Sequence, residues 1–166
     1  MSVQIREANP EDIDAIFKFI HKLADYERAA HEAVLSKDHL ADSLFGENPQ
    51  VFCVLSTISD GQGATSEVIT GFAIWHLNYS TWLAKHGLYI EDLFVDPGYR
   101  GLGHGKALLR YLAKICVDRG YPRLQWWVLD WNKPAIDFYE SIGAKAMDEW
   151  TVFRVSGDEL QKLANT

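Results

Sequence analysis

The chain has two cysteines in 166 residues and no Cys-x-x-Cys pair. Cys53 falls in an apolar, β-branched run and Cys116 on the apolar face of a helical pattern, so two buried reduced thiols are expected and not a bridge. There is no His-Glu-x-x-His and no Gly-x-Ser-x-Gly, which removes the usual signatures of the helix-borne zinc proteases and the α/β serine hydrolases. The six histidines, at positions 21, 31, 39, 76, 86 and 104, show no metal-ligand spacing, and no metal is expected. Lys and Arg number 16 against 23 Asp and Glu, giving a net charge of −7. Broad binding to nucleic acid or to anionic membranes rests on basic surfaces, so this balance disfavours both and suits a cationic substrate. No apolar run approaches the roughly 20 residues of a membrane span. The opening MSVQIREANPED has neither the basic region nor the apolar core of a secretory signal, so a cytoplasmic location is expected. Without repeats, low-complexity tracts or linkers, residues 1–166 read as a single domain, long enough to bury about two-thirds of its unfolded surface.

The patterning is mixed α/β. Val3 to Glu7 alternates as a short strand, and Asn9-Pro10 supplies a cap and a first-turn proline for a helix with Ile13, Ile16, Phe17, Ile20, Leu23 and Ala24 on one face. Ser36 caps a second helix that stops at Gly46. Val51 to Ile58 and Val68 to Leu77 are strands joined as a hairpin by DGQGATSE, and Asn78 to His86 reads as a loop. Leu88 to Val95 is a strand, followed by a helix with Ala107, Leu108, Tyr111, Leu112, Ile115 and Cys116 on its apolar stripe and Gly120 as its C-cap. Leu124 to Leu129 is a strand, Lys133 to Ile142 a helix, and Thr151 to Val155 a last strand. Ser156-x-x-Glu159 is a capping box for a terminal helix. The order β-α-α-β-β-β-α-β-α-β-α predicts a largely antiparallel first half and a strand-helix-strand crossover in the second, with helices on both faces.

The chain is organised around LYIEDLFVDPGYRGLGHGK, residues 88 to 106. Three alternate glycines, Gly101, Gly103 and Gly105, let the backbone turn sharply and approach a ligand closely. The helix that follows offers N–H groups with no partner of their own at its positive end, a place suited to phosphate. Arg100, His104, Lys106 and Arg110 put cationic side chains around it. Two better-known phosphate motifs do not fit. The nucleotide-hydrolase loop would need glycine at 100 and a hydroxyl residue at 107, which are Arg and Ala; the dinucleotide fingerprint would need its third glycine one place later.

Arg100-x-x-Gly103-x-Gly105 resembles the acetyl-CoA diphosphate motif of the GNAT superfamily of N-acetyltransferases. The order of elements is similar to the GNAT fold over nearly the whole chain. LYIEDLFVDPGYRGLGHG, VLDWNKPAIDFYESIGA and the early Asp25-Tyr26-Glu27 look like the spermidine/spermine branch of that superfamily. The resemblance implies acetyl-CoA as co-substrate, cradled by the backbone of Arg100, Gly101, Leu102, Gly103, His104, Gly105 and Lys106. It also implies a pantetheine arm beside Phe94 and Val95, a coenzyme contact from Asn132, and a homodimer. It marks Glu91 as general base and Tyr139 as the acid near the coenzyme sulfur. It further implies an amine pocket lined by Tyr26, Glu27, Trp82, Glu91 and Asp92.

The chemistry asks for such groups. An aliphatic amine with a pKa near 10 arrives as an ammonium and cannot attack a thioester until a base within hydrogen-bond reach takes its proton. Asp92 points to the opposite face from Glu91 in a regular strand, so only one of the two faces the acetyl group unless the strand bulges. In NYSTW, Ser80 stands where polyamine-specific relatives carry Asp, which leaves room for a diamine or a lysine- or ornithine-like amino acid. Each residue also has a plainer reading: Tyr139 as core packing, Glu91 as an exposed strand carboxylate, Asn132 as a helix cap, His104 and Lys106 as solvated groups. An acetyltransferase for protein N-termini or lysine side chains, and a non-catalytic acyl-CoA sensor, are the competing functions.

Overall fold

The computed structural model describes residues 2–59 and 67–165. It divides into two compact units, Met1–Trp127 and Val128–Thr166.

The first unit is a five-stranded sheet in the order β1-β2-β3-β4-β5: β1 Gln4–Glu7, β2 Val51–Ser59, β3 Glu67–Ser80, β4 Lys85–Val95 and β5 Leu124–Trp126. The first four strands pair antiparallel; β5 runs parallel to β4, reached through α3, His104–Arg119. This is the mixed sheet and crossover that the element order predicts. The predicted hairpin turn DGQGATSE lies, but for Glu67, outside the described residues.

α1, Ile13–Tyr26, and α2, Lys37–Phe45, cover one face. Ile16, Phe19 and Leu23 of α1 and Leu44 of α2 close over Cys53, Leu55, Phe72, Ile74 and Phe94. Phe19 falls outside the predicted stripe, yet its ring lies 5.9 Å from those of both Phe72 and Phe94. A period of 3.6 residues lets a helix lying flat on a sheet bury a wider arc than the i, i+3, i+4 series marks. α3 lies on the other face, burying Leu108, Leu109, Leu112 and Cys116, with Arg119 6.0 Å from the Trp75 ring. Cys53 and Cys116 are buried free thiols.

Local signals set several boundaries. Asn9 caps a 3₁₀ turn, Pro10–Asp12, in a reciprocal capping box with Asp12, and α1 follows directly. The Ser36 side chain accepts from the His39 N–H at the start of α2, and Gly120 ends α3 at φ 67°. Three expectations need correction. Residues 78–86 are not a loop, since β3 and β4 stay paired from Asn78 opposite Gly87 to Ser80 opposite Lys85 and only 81–84 turn. The fifth strand ends at Trp126 and not at Leu129. In the second unit, Thr151–Val155 forms no strand. That unit instead holds α4, Lys133–Ser141, and α5, Gly157–Ala164, whose N-cap Ser156 makes no side-chain capping bond. Apolar alternation marks a segment able to pair, and pairing needs a free strand edge of matching register that sequence does not show. Among the described residues no helix is long and apolar enough to cross a membrane.

The edge of the sheet is held by ions. Arg6 donates to Asp12 at 2.7 and 2.8 Å and to Glu67 at 2.7 Å, and Asp12 is buried. The Arg6 guanidinium holds the carboxyls of both Asp12 and Glu67 below the usual range. A carboxylate whose pKa is lower in the folded chain stabilises it above the unfolded value, near 3.9 for Asp, and that contribution is lost as pH falls through the folded value. Asp12→Asn is therefore expected to cost about 1–3 kcal/mol at pH 7 and progressively less below about pH 4. Urea melts at the two pH values check this; an equal loss at both would assign the effect to something other than charge.

Candidate active site

β4 carries an extra residue. Ile74 of β3 faces Asp92 and Trp75 faces Ile90, so Glu91 has no partner across the ladder. Such a bulge lets two consecutive side chains share a face. Glu91 reaches His76, with Oε2 3.4 Å from Nε2, while Asp92 sits opposite Ile74, whose side chain is in the α1 core. Both carboxylates thus serve the α1 side of the sheet, the alternative that a regular strand excludes.

Glu91 is exposed and Asp92 half-buried. Burial, and then the charges of Glu91 and Glu27, push the Asp92 carboxyl up to about 6. Glu27 is the C-cap of α1 and is itself raised by burial. Tyr26, Glu27, Glu91 and Asp92 are therefore gathered where the end of α1 meets the middle of β4. Trp82 is not with them: it is 89% exposed on the β3–β4 turn, about 20 Å along β4 from Glu91 at 3.3 Å per residue. Ser80 is buried at the same turn, its Oγ accepting from the Leu83 N–H.

Beyond the bulge, no strand among the described residues pairs with β4 on its β5 side. β5 pairs only from Leu88 opposite Leu124 to Ile90 opposite Trp126, so Glu91 to Val95 have no ladder partner in β5. Their backbone can pair with the amides of an extended ligand. Phe94 itself is buried in the α1 core, so it offers this edge its main chain and not its ring.

The glycine-rich turn follows. Asp96 fixes its start, donating its N–H to the Thr70 carbonyl, accepting from Gly98 and pairing with Lys22 of α1. Arg100 Nε donates to the Val95 carbonyl at 3.0 Å, and its guanidinium lies 4.6 Å from the Tyr26 ring and 5.5 Å from that of Phe94. Gly101 and Gly103 have φ of 76° and 93°, conformations that side chains resist, which is the reason glycine stands there. The first bond of α3 is Ala107 N–H to the Gly103 carbonyl, so the amides of His104, Gly105 and Lys106 occupy positions that the helix cannot satisfy itself. Leu102 is exposed on the turn, and Lys106 and Arg110 are exposed on the helix.

His104 departs from the expected ring of cations. Its side chain is 3% exposed, with Nδ1 2.7 Å from Ser56 Oγ and 2.8 Å from Thr70 Oγ1. Thr70 is itself a bulged residue, since Ser56 faces Gly71 and Thr57 faces Ile69. Its hydroxyl also donates to the Ser56 carbonyl. Burial lowers the imidazole pKa, favouring the neutral ring. The backbone N–H of His104 remains at the helix start while the ring anchors that start to β2 and β3. Only the pairing of β2 with the bulged β3 could reveal this, and the sequence carries no mark of that bulge.

In the second unit, Asn132 stands at the N-cap of α4 without a side-chain capping bond, so a capping role does not account for it. Tyr139 lies half-buried on α4 with its ring 5.5 Å from that of Phe138. Among the described residues no group of three or more His, Cys, Asp or Glu is placed to hold a metal.

Comparison with known proteins agrees with this geometry. Residues 16–144 match the acetyltransferase (GNAT) family. The chain is 35% identical over 167 residues to the thialysine N-epsilon-acetyltransferase of Sus scrofa, covering 98% of each. It is 35% identical over 201 residues to the L-ornithine N5-acetyltransferase NATA1 of Arabidopsis thaliana, covering 98% of this chain and 88% of that one. Among solved structures it resembles an integron cassette protein from the mobile metagenome of V. cholerae, with a TM-score of 0.77 and 29% identity over 100% and 99% of the two chains. A bulged acidic strand with one open edge, a glycine turn and a helix start free to bind an anion thus stand together in a chain that belongs to the GNAT family of acetyltransferases and is an acetyl-CoA-dependent N-acetyltransferase.

Proposed function

We propose that the enzyme acetylates a primary amine of a small cationic molecule, a diamine or a lysine- or ornithine-like amino acid, by direct transfer from acetyl-CoA within a ternary complex. The bulge that turns Glu91 and Asp92 to one face near Glu27 carries this reading, because a cluster of carboxylates beside the open edge of β4 attracts an ammonium to where a thioester can lie. Relatives that act on thialysine and ornithine support a terminal amine on a short chain.

In this reading the amides of residues 101–106 hold the coenzyme diphosphate, with Lys106 and Arg100 adding charge. The pantetheine arm pairs with the β4 edge at Phe94 and Val95, and Asn132 contacts the coenzyme. Glu91 accepts one ammonium proton, the amine nitrogen bonds to the acetyl carbon, and the C–S bond breaks as Tyr139 protonates the departing thiolate; the second proton lost by the nitrogen restores the Tyr139 phenol. Glu27, Asp92 and Tyr26 hold the far end of the amine. Trp82 is too far along β4 to serve the same chain's pocket, so it contributes only from a second copy. A homodimer is supported by the branch that the chain resembles and by the exposed apolar side chains of Trp150, Val152, Phe153 and Val155. We place the enzyme in the cytoplasm.

A panel of diamines, lysine, ornithine and lysine-bearing peptides assayed with acetyl-CoA tests the substrate class: small amines are expected to be turned over, and acetylation of peptides alone would overturn the reading. Tyr139→Phe is expected to lower kcat by about 10²- to 10⁴-fold with the KM for acetyl-CoA little changed; unaltered turnover would remove Tyr139 from the chemistry. A protonated Asp92 no longer holds the cation, so kcat/KM for the amine should rise with pH through about 6. Asp92→Asn should erase that limb of the profile, and its persistence in the variant would assign it to another group.

A further inference from the structure

The two ring nitrogens of His76 meet different partners. Nδ1 lies 3.3 Å from the Leu77 carbonyl, and Nε2 lies 3.4 Å from Glu91 Oε2. A carbonyl oxygen only accepts, which assigns the ring proton to Nδ1, so the neutral imidazole turns the lone pair of Nε2 toward the carboxylate. Two lone pairs facing each other bind nothing, but one proton between them makes a charge-assisted hydrogen bond. The pair is therefore built to receive a proton. Its surroundings hold the ring in that pose. His76 faces Val51 of β2 on one side and Tyr89 of β4 on the other, with the His76 and Tyr89 rings 5.1 Å apart. Burial and the Glu91 charge push the Tyr89 phenol up to about 12, so Tyr89 keeps its own proton and does not compete for one on Glu91. The His76 side chain is 36% exposed and lines a surface hollow with Gln50, Val51, Phe52 and Leu77, which opens the ring to water on the β2 side.

A base must lose the proton it takes before it can act again. In the proposed ternary complex the amine lies on Glu91 and the coenzyme occupies the β5 side of β4, so both substrates stand between this carboxylate and bulk water. His76 approaches from the β3 side, which that reading leaves open. We infer that His76 is a positioning and relay residue acting through Glu91: the proton that passes from the ammonium to Glu91 Oε2 moves on to His76 Nε2, and the imidazolium releases it to water on the β2 side. The inference rests on the proposed role of Glu91 as base. One N–H bond of the ammonium breaks as an O–H bond forms on Glu91; that O–H bond breaks as an N–H bond forms at Nε2, and water then takes the proton. The acetyl transfer, and the second nitrogen proton that restores Tyr139, are unchanged. The Leu77 carbonyl, already accepting from Nδ1, stabilises the imidazolium while it lasts.

The test uses the full chain with saturating acetyl-CoA and either L-ornithine or 1,4-diaminobutane, whichever wild type turns over faster. His76→Ala is expected to lower kcat by about 10²-fold, the lower end of general-base effects, with the KM values for amine and acetyl-CoA little changed. His76→Gln keeps a polar side chain that neither takes up nor releases a proton, and it should be as slow. Imidazole added to His76→Ala should restore turnover; pyrazole, of the same shape but a far weaker base, should not. Because His76 acts only through Glu91, adding His76→Ala to Glu91→Gln should cost little more, whereas a merely structural histidine would multiply the two losses. Full turnover in either His76 variant, no rescue by imidazole, or multiplied losses overturns the inference and leaves Glu91 as base. Should the alanine variant melt early, His76→Gln alone and combined with Glu91→Gln decides on the same terms. Wild-type turnover in Glu91→Gln removes the base itself, and failure of wild type on both amines removes the amine chemistry; either result takes the inference with it.

Discussion

Glu91 has no partner across the β3–β4 ladder, and much else follows from that one inserted residue. Without it, Glu91 and Asp92 would face opposite sides of the sheet and one of the two would enter the apolar packing around α3. With it, both meet the end of α1, where Glu27 adds a third acid and the mutual repulsion is felt most by half-buried Asp92. Crowding like charges in this way opposes folding, a cost that a bound cation would relieve. The same irregularity coincides with the point where β5 stops, so acidity and an unpaired backbone edge occur at one level of the strand.

The glycine-rich turn depends on a different support. Its two left-handed glycines make it pliable, and the structure restrains it from three sides: Lys22 and Tyr26 from α1, the Thr70 carbonyl from β3, and the His104 ring wedged against Ser56 and Thr70 below. A second bulge, at Thr70, turns that hydroxyl toward the helix start. Both irregularities in the sheet therefore lie under the candidate site, one turning carboxylates to one face and the other fixing the helix start with its unpartnered first-turn amides.

Most of the fold was legible because its signals are local. Asn9-Pro10, Ser36 and Gly120 mark helix ends by chemistry that acts within a turn, and the strand-turn-helix at residues 88–119 announces its own geometry. The turn at Arg100 to Lys106 and the acids at Glu27, Glu91 and Asp92 could be named in advance from motif letters. What could not be read was relational. The apolar alternation of Thr151–Val155 marks a capacity to pair without supplying a partner edge. His104 looked like a cation on the surface, and the hydroxyls that bury it come from two other strands 48 and 34 residues away. His76 reaches Glu91 from β3 across the bulge, and no spacing along the chain joins the two.

Arg100 shows how narrowly one position can be specified. Its guanidinium is already engaged by the Val95 carbonyl and lies over the Tyr26 ring, so the plane of the group is set before any ligand arrives. A lysine there would keep the positive charge but neither the flat stack nor the fork of donors. Homologous chains that dispense with the aromatic at position 26 would then be free to vary the basic residue as well, and the two positions should drift together in evolution.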